Sequence, residues 1–509
     1  LKSAAAAARR PASADPPPHR LHGIHARAPA VRCRGAARGG RRGTAVRYPP
    51  LFYWAALCSL TDEDIQGALV ERWPMVSAEV QQAVLDLHAP EGAFENPGAE
   101  TVSLVGALWP AGCGPGAGKV ERLLQSWVFN CFHGGSGEED GRFDSLALLH
   151  GAAMMSHSCE PTAVWTFGGG GGGGGPSDLT FALRARTHID AGAEVTIPYL
   201  SNGALRLPTP DRRAQLLAAK DFLCHCPRCD GDLDDTRAFS CPLCGGEAFA
   251  ATGAACCFEG LAGCGAPDRG GGVLAGCVIE LMEGPLEDQD LEGRGAVVCV
   301  SGCGTLPPVL ASSLLTAEAD ARAALLGAGP TVARRLELWL GGGLGDRIAD
   351  ADDACLPNAL GLLEQAQTSG LGGTHWIVDA LRAVAVEQAT DDRLRCVLLR
   401  ARSESCEERE HGGPAPHAMA KLARLRMALS ETLICLASKA SGVSEEPAVD
   451  EVGVLREALD VSRGAAGTFE VLFGHLHPEF CQATAAFDRI SGLLQELTMS
   501  DAPDACDAQ

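Results

Sequence analysis

Between residues 60 and 130 the apolar positions recur at helical spacing. Thr61-Asp62-Glu63-Asp64 reads as a helix start, and Ser77 opens a second helix over 78–85, because a serine hydroxyl ahead of an apolar-periodic run can accept a bond from a first-turn amide. An apolar helix follows over 120–132 and ends in Asn130-Cys131-Phe132. The period then drops to two. Residues 163–167 and 179–185 predict strands, with alternation over 180–185 supporting the second, and the glycine run 168–175 between them predicts an overgrown hairpin turn. From about Ser312 helical patterning takes over, in segments 330–340, 356–367, 374–388, 417–438, 452–461 and 480–497 punctuated by Gly, Pro and Ser. Residues 1–20 are dominated by Ala, Pro and Arg and predict disorder.

A chain of 509 residues accommodates roughly two to four domains. The 46% hydrophobic share fits packed cores, and 62 Gly point to loops and low-complexity inserts. The net charge of −22 is uneven: residues 1–47 carry eleven Lys or Arg against one Asp, leaving 31 against 63 acids in the remainder. So acidic a body repels phosphate backbones and attracts basic protein segments, which disfavours direct nucleic-acid binding and favours a Lys-containing, basic partner. No apolar run reaches the roughly 18 residues a membrane span needs, and no signal-peptide core is present. The expectation is a soluble chain of the cytoplasm, the nucleus or both; its Arg-rich start also resembles an organellar transit segment. Of 22 Cys, eleven lie between Cys224 and Cys303, a clustering that in a reducing compartment favours zinc over disulfides.

Three motifs carry the chemistry in one order. Met155-Ser156-His157-Ser158-Cys159-Glu160-Pro161-Thr162 is followed by Glu194-Val195-Thr196-Ile197-Pro198-Tyr199, and then by Phe222-Leu223-Cys224-His225-Cys226-Pro227-Arg228-Cys229. Together they resemble the catalytic end of the SET-domain protein-lysine methyltransferases, and the cysteine tail is similar to that of the SMYD (SET and MYND) branch. The resemblance implies an α+β fold: a β-rich SET domain with a knotted, zinc-binding post-SET tail, followed by an all-α, tetratricopeptide-like domain. The expected divisions are a basic N-terminus (1–20), a SET domain (21–205) with a helical insert (60–130), a post-SET segment (206–232), a Cys-rich segment (233–310) and the helical domain (311–500). Gly23-Ile24-His25-Ala26-Arg27 and residues 46–52 look like the first two SET strands. A MYND finger is not recognisable, since only Cys58 and Cys113 occur where about eight ligands would be needed.

The implied cofactors are S-adenosylmethionine and zinc. Cys224, Cys226 and Cys229 offer three thiolates within six residues, and zinc wants four ligands. By resemblance the fourth is Cys159, with His225 or another cysteine as the local alternative. Cys241, Cys244, Cys299 and Cys303 look like the two knuckles of a zinc ribbon, although the second pair is spaced one residue too far and Cys256, Cys257, Cys264 and Cys277 compete. Tyr199, one of three tyrosines, falls where the family places its catalytic phenol; otherwise a strand-end tyrosine is a core ring with a surface hydroxyl. Gly23, Asn130, Met155, Ser156, His157 and Phe222 are the implied cofactor-binding residues, with Phe222 against the adenine, His157 contributing through its backbone and its ring structural. Ser156 and Thr162 stand where the family has Asn, Leu21-His22-Gly23 keeps one of two glycines, and Lys220 replaces a channel aromatic. These departures sustain a second reading, a weak or inactive SET scaffold that binds basic partners.

Overall fold

The computed structural model describes residues 45–48, 52–60, 70–134, 143–167, 181–252, 296–327, 355–407, 419–440 and 450–500, apart from 72, 91, 93, 111, 113, 202 and 476. Gly23, residues 1–20, the helix start at Thr61, the glycine run, the 330–340 helix, and Cys113, Cys256, Cys257, Cys264 and Cys277 lie outside the described residues.

The architecture is mixed α+β and mostly helical, with small sheets. β1 (Ala45–Tyr48) and β2 (Phe52–Leu60) fall in different antiparallel sheets. β2 pairs with β4 (Phe143–Leu148), which also pairs with β3 (Cys131–Gly134). β1 pairs with β7 (Phe181–Ala185), whose other neighbour is β6 (Ala163–Phe167). Between them β5 (Ser156–His157) runs parallel to β8 (Thr196–Ile197). The Cys-rich segment forms an antiparallel sheet of β9 (Leu233–Ser240), β10 (Glu247–Ala251), β11 (Val297–Cys299) and β12 (Gly304–Thr305).

Three helices, α1 (Ala78–Leu85), α2 (Ala99–Leu108) and α3 (Ala117–Asn130), precede β3. Ser77 caps α1, its hydroxyl accepting from the Val80 amide at 3.4 Å. Val120, Leu123, Leu124 and Trp127 recur on one face of α3, which closes over Trp73, Val80 and Val84; this buried stripe, rather than propensity, holds the helix in place. The short α4 (His150–Ala153) leads into β5, and α5 (Thr209–Lys220) ends on left-handed Asp221.

The C-terminal part stacks α6 (Pro308–Gly327), α7 (Cys355–Thr368), α8 (Trp376–Gln388), α9 (Asp392–Glu407), α10 (Met419–Ala440), α11 (Glu451–Phe473) and α12 (Pro478–Ser500), each on its chain neighbour. α8 is buried along almost its whole length, its charged Asp379 and Arg382 included. Among the described residues no helix is long and apolar enough to cross a membrane.

Two buried carboxylates join the sheet-bearing part to the helices. Asp379 on α8, 1% exposed, receives Arg206 at 3.0 Å, Arg402 at 3.3 Å and Lys421 at 2.7 Å. Glu318 on α6 accepts from Arg237 of β9 and from the Trp376 indole at 3.2 Å, with His375 at 3.3 Å; Arg237, His375 and hydrogen bonding hold its carboxyl well below the usual range in spite of burial. β9 also bonds to the loop before α8, Gly372 donating to the Ala238 carbonyl at 2.9 Å. A Cβ at Gly372 would meet that carbonyl oxygen at 3.1 Å, tighter than an ordinary contact, so a side chain there would push the two segments apart.

Arg186, just after β7, is 1% exposed, and none of its guanidinium nitrogens has an acceptor among the described residues. Burial pulls its pKa down to about 10. An unpaired buried charge is destabilising, so Arg186→Met should raise stability by about 1 kcal/mol or more. Denaturant unfolding of the two proteins checks this; a loss of stability would mean the guanidinium makes an interaction that the fold conceals.

Candidate functional site

The parallel pairing of β5 and β8 brings two distant segments together. The Ser158 amide donates to the Ile197 carbonyl at 3.2 Å, and Thr162 and Thr196 exchange amide-to-hydroxyl bonds of 3.0 Å each. This double clamp, 34 residues apart in sequence, sets Cys159 and Tyr199 on neighbouring strand ends. From the other side, α5 stops at Asp221 and the chain turns so that the Cys226 carbonyl accepts from the Cys229 and Asp230 amides at 2.9 and 3.0 Å. That turn aims the sulfurs of Cys224, Cys226 and Cys229 at Cys159.

The four sulfurs lie within 4.8 Å of one another, all buried and none in a disulfide. Cys159 Sγ stands 4.0 Å from Cys224 Sγ and 3.5 Å from Cys229 Sγ. A tetrahedral zinc with 2.3 Å bonds would have sulfurs about 3.8 Å apart, so the cage fits the metal in size and in donor chemistry. The charges agree. Bonds from Cys159, Cys224 and Cys229 pull the Cys226 thiol down, while bonds to its three partners push the Cys159 thiol up, as expected of thiols crowded together without a cation. Buried Arg212 stands 3.7 Å from Cys229 Sγ and donates to Thr209, and Arg228 donates to the Leu205 carbonyl at 2.6 Å and the Cys159 carbonyl at 3.4 Å. His225 instead turns out to Asp230 at 3.2 Å.

Directly beside the cage lies an aromatic cluster. The Tyr199 ring is 5.3 Å from His157 and 6.2 Å from Phe222, and His157 is 6.1 Å from Phe222. Tyr199, 36% exposed, donates its hydroxyl to the Met155 carbonyl at 2.5 Å, and burial of the phenol raises its pKa. This is not a core ring with a free hydroxyl. The His157 ring is bonded at both nitrogens: Nδ1 accepts the Tyr199 amide at 3.0 Å, and Nε2 faces Cys159 Sγ at 3.3 Å. Burial lowers its pKa to about 4, and an Nδ1 that accepts a backbone N–H carries no proton, which leaves the ring N–H on Nε2. The Lys220 ammonium completes the wall, donating to the Phe129 carbonyl at 2.9 Å and the Val128 carbonyl at 3.3 Å, and lying 5.9 Å from the Tyr199 ring centre. Desolvation lowers its pKa.

Of the residues expected to bind a cofactor, Met155, Ser156, His157 and Phe222 come together here. Ser156 is exposed at the start of β5, whereas Met155 is buried and offers its carbonyl to Tyr199. Asn130 is buried at the end of α3, and its amide nitrogen donates to the His88 and Ser126 carbonyls at 2.7 Å each, so its hydrogens are committed to backbone. Gly23 lies outside the described residues.

The second set also assembles. Cys241, Cys244, Cys299 and Cys303 lie within 4.8 Å of one another, two buried and two exposed, with Cys244 and Cys299 sulfurs 3.6 Å apart. The Gly246 amide reaches Cys244 Sγ at 3.4 Å, and the Cys303 amide helps pull the Cys299 thiol down to about 7. The extra residue in the second pair is absorbed by Gly302, whose φ of 119° lies where side chains are strained. Both groups are compatible with zinc.

Arg212, Arg228 and the Thr162–Thr196 clamp were not legible beforehand, because nothing in local spacing links α5 to a sulfur 17 residues away. Two surface clefts, one between α6 and α7 and one around Phe94 and Trp109, contain none of the expected site residues. The chain matches no family model, and no curated protein matches it.

Proposed function

We propose that this chain is an S-adenosylmethionine-dependent protein-lysine N-methyltransferase of the SET type, SMYD-like in its cysteine tail and helical C-terminal domain. The observation that carries the reading is the convergence of Tyr199, His157 and Phe222 on one wall, closed beneath by the Cys159, Cys224, Cys226 and Cys229 cage. S-adenosylmethionine would supply an electrophilic methyl group. Phe222 would pack against its adenine, and Met155, Ser156 and His157 would hold its methionyl end. Zinc in the closed four-sulfur cage leaves no open position, so its role is to hold the tail against Tyr199.

The acceptor lysine must lose its proton, and a desolvated aromatic wall disfavours its charged form. Because the Tyr199 hydrogen is committed to the Met155 carbonyl, the phenol oxygen presents lone pairs that can accept an N–H of the amine and orient its nitrogen for in-line attack. An acidic body would draw a basic segment to this wall. Tyr199→Phe should therefore lower turnover by about 100-fold or more while leaving cofactor affinity unchanged. Transfer of labelled methyl to a lysine-rich protein pool tests this, and equal transfer by the two proteins removes Tyr199 from the mechanism.

Two observations favour the second reading, a scaffold with weak or no activity. Asn130 spends its amide on backbone carbonyls, and the Lys220 ammonium beside Tyr199 repels an incoming lysine. Ser156 is the point where activity can be recovered. An Asn there adds one hydrogen bond of about 0.5 to 1.5 kcal/mol, and Ser156→Asn should tighten S-adenosylmethionine roughly two- to twelvefold. Calorimetry on both proteins reads this; an Asn variant that folds but binds no better places the anchor elsewhere.

A further inference from the structure

We propose that the His157 ring is a strut between the metal cage and the tyrosine: a positioning residue that donates from Nε2 to Cys159 sulfur and accepts the Tyr199 amide at Nδ1. The proposal rests on the metal reading of the cage and requires no methyl transfer. Both bonds are present, at 3.3 and 3.0 Å, and the second fixes the tautomer the first needs. The direction of donation matters. A thiol would have its own hydrogen to place, whereas a metal-bound thiolate has only lone pairs, so the Nε2–H to sulfur bond is strongest when the cage is loaded. Because His157 is the last residue of β5 and Tyr199 lies two residues beyond β8, the ring spans the strand pair where its own ladder ends. The Tyr199 backbone is thereby tied to the metal through one rigid ring, and its phenol is tied to Met155, the residue before the strand of that ring. Any change in the metal–sulfur distance is passed to Tyr199, which the aromatic contact between the two rings reinforces.

Phe at 157 keeps the ring and removes both bonds. The chain has three tyrosines, so fluorotyrosine labelling yields three fluorine signals, with that of Tyr199 identified by Tyr199→Phe. In the parent, exchanging zinc for the larger cadmium should move the Tyr199 signal; in His157→Phe the Tyr199 signal should no longer respond. Chelator competition should show that the variant holds zinc about 10- to 100-fold more weakly. His157→Gln, which can still donate to sulfur, should recover part of that affinity but not the Tyr199 response. In the cadmium-loaded parent a scalar coupling should connect the NMR-active metal to an imidazole N–H proton, a measurement that stands even if the variants fold poorly. A metal-loaded parent with no such coupling, or a Tyr199 signal that answers the metal equally in His157→Phe, would overturn the strut. Metal content is read separately, so a parent that binds no metal at this cage would overturn the metal reading and the strut together.

Discussion

Removing the metal from the Cys159, Cys224, Cys226 and Cys229 cage is expected to unfold the segment from Ser156 to Cys229 and to abolish cofactor binding. Four buried sulfurs within 4.8 Å cannot all ionise beside one another without a cation, and protonated they lose the attraction that draws the tail back to β5. Structural zinc in small Cys-rich units contributes on the order of 10 kcal/mol, comparable to the whole stability of an ordinary domain, about 5 to 15 kcal/mol. Cys159→Ser should reproduce most of the loss, since it removes the one ligand that comes from outside the tail. Metal analysis, denaturant unfolding and cofactor titration before and after chelation check the prediction. Well-folded protein without metal, or a Cys159→Ser variant of parental stability, would contradict it. The second cage should behave differently: Cys244 and Cys303 are exposed, and metal loss there should loosen the β10–β11 sheet while Tyr199 stays in place.

Asp379→Asn should be the most damaging single change outside the cages. The carboxylate is 1% exposed and receives Arg206, Arg402 and Lys421, from three separate elements. An amide of the same shape leaves three cations facing a neutral group, and breaking a buried ion cluster in this way costs about 3 to 5 kcal/mol. Arg206 lies between Tyr199 and the cysteine tail, so the loss should reach the site as well as the helices. Denaturant unfolding gives the first effect and cofactor affinity the second. A variant as stable as the parent would show that the cluster is solvated and weak.

Both cysteine groups were legible because their chemistry is written in a residue type that has few other uses at such spacing. Cys224, Cys226 and Cys229 announce themselves locally; Cys159 required a resemblance, since 65 residues separate it from Cys224. Helices with clean apolar stripes emerged within a few residues of their expected bounds, as in α8 and α12. α9 was missed because its sequence, DRLRCVLLRARSESCE, alternates charge with apolar residues and buries Arg402 and two serines through partners that only the fold supplies. α11 was expected to stop at 461 and runs to Phe473, because Ala465, Phe469 and Leu472 are buried on one face and carry the helix past the glycines at 464 and 467 that look like breakers. Asn130 is expected from the resemblance to bind cofactor, and its amide nitrogen also closes the end of α3 onto the chain at His88, a contact 42 residues distant that no local spacing announces.

The claim that this wall holds S-adenosylmethionine is tested most directly by calorimetric titration of that compound into zinc-loaded protein. The account predicts saturable binding at one site per chain, retained in Tyr199→Phe, tightened in Ser156→Asn and lost in Cys159→Ser. Folded, zinc-loaded protein that shows no binding would contradict it and leave the scaffold reading in its place.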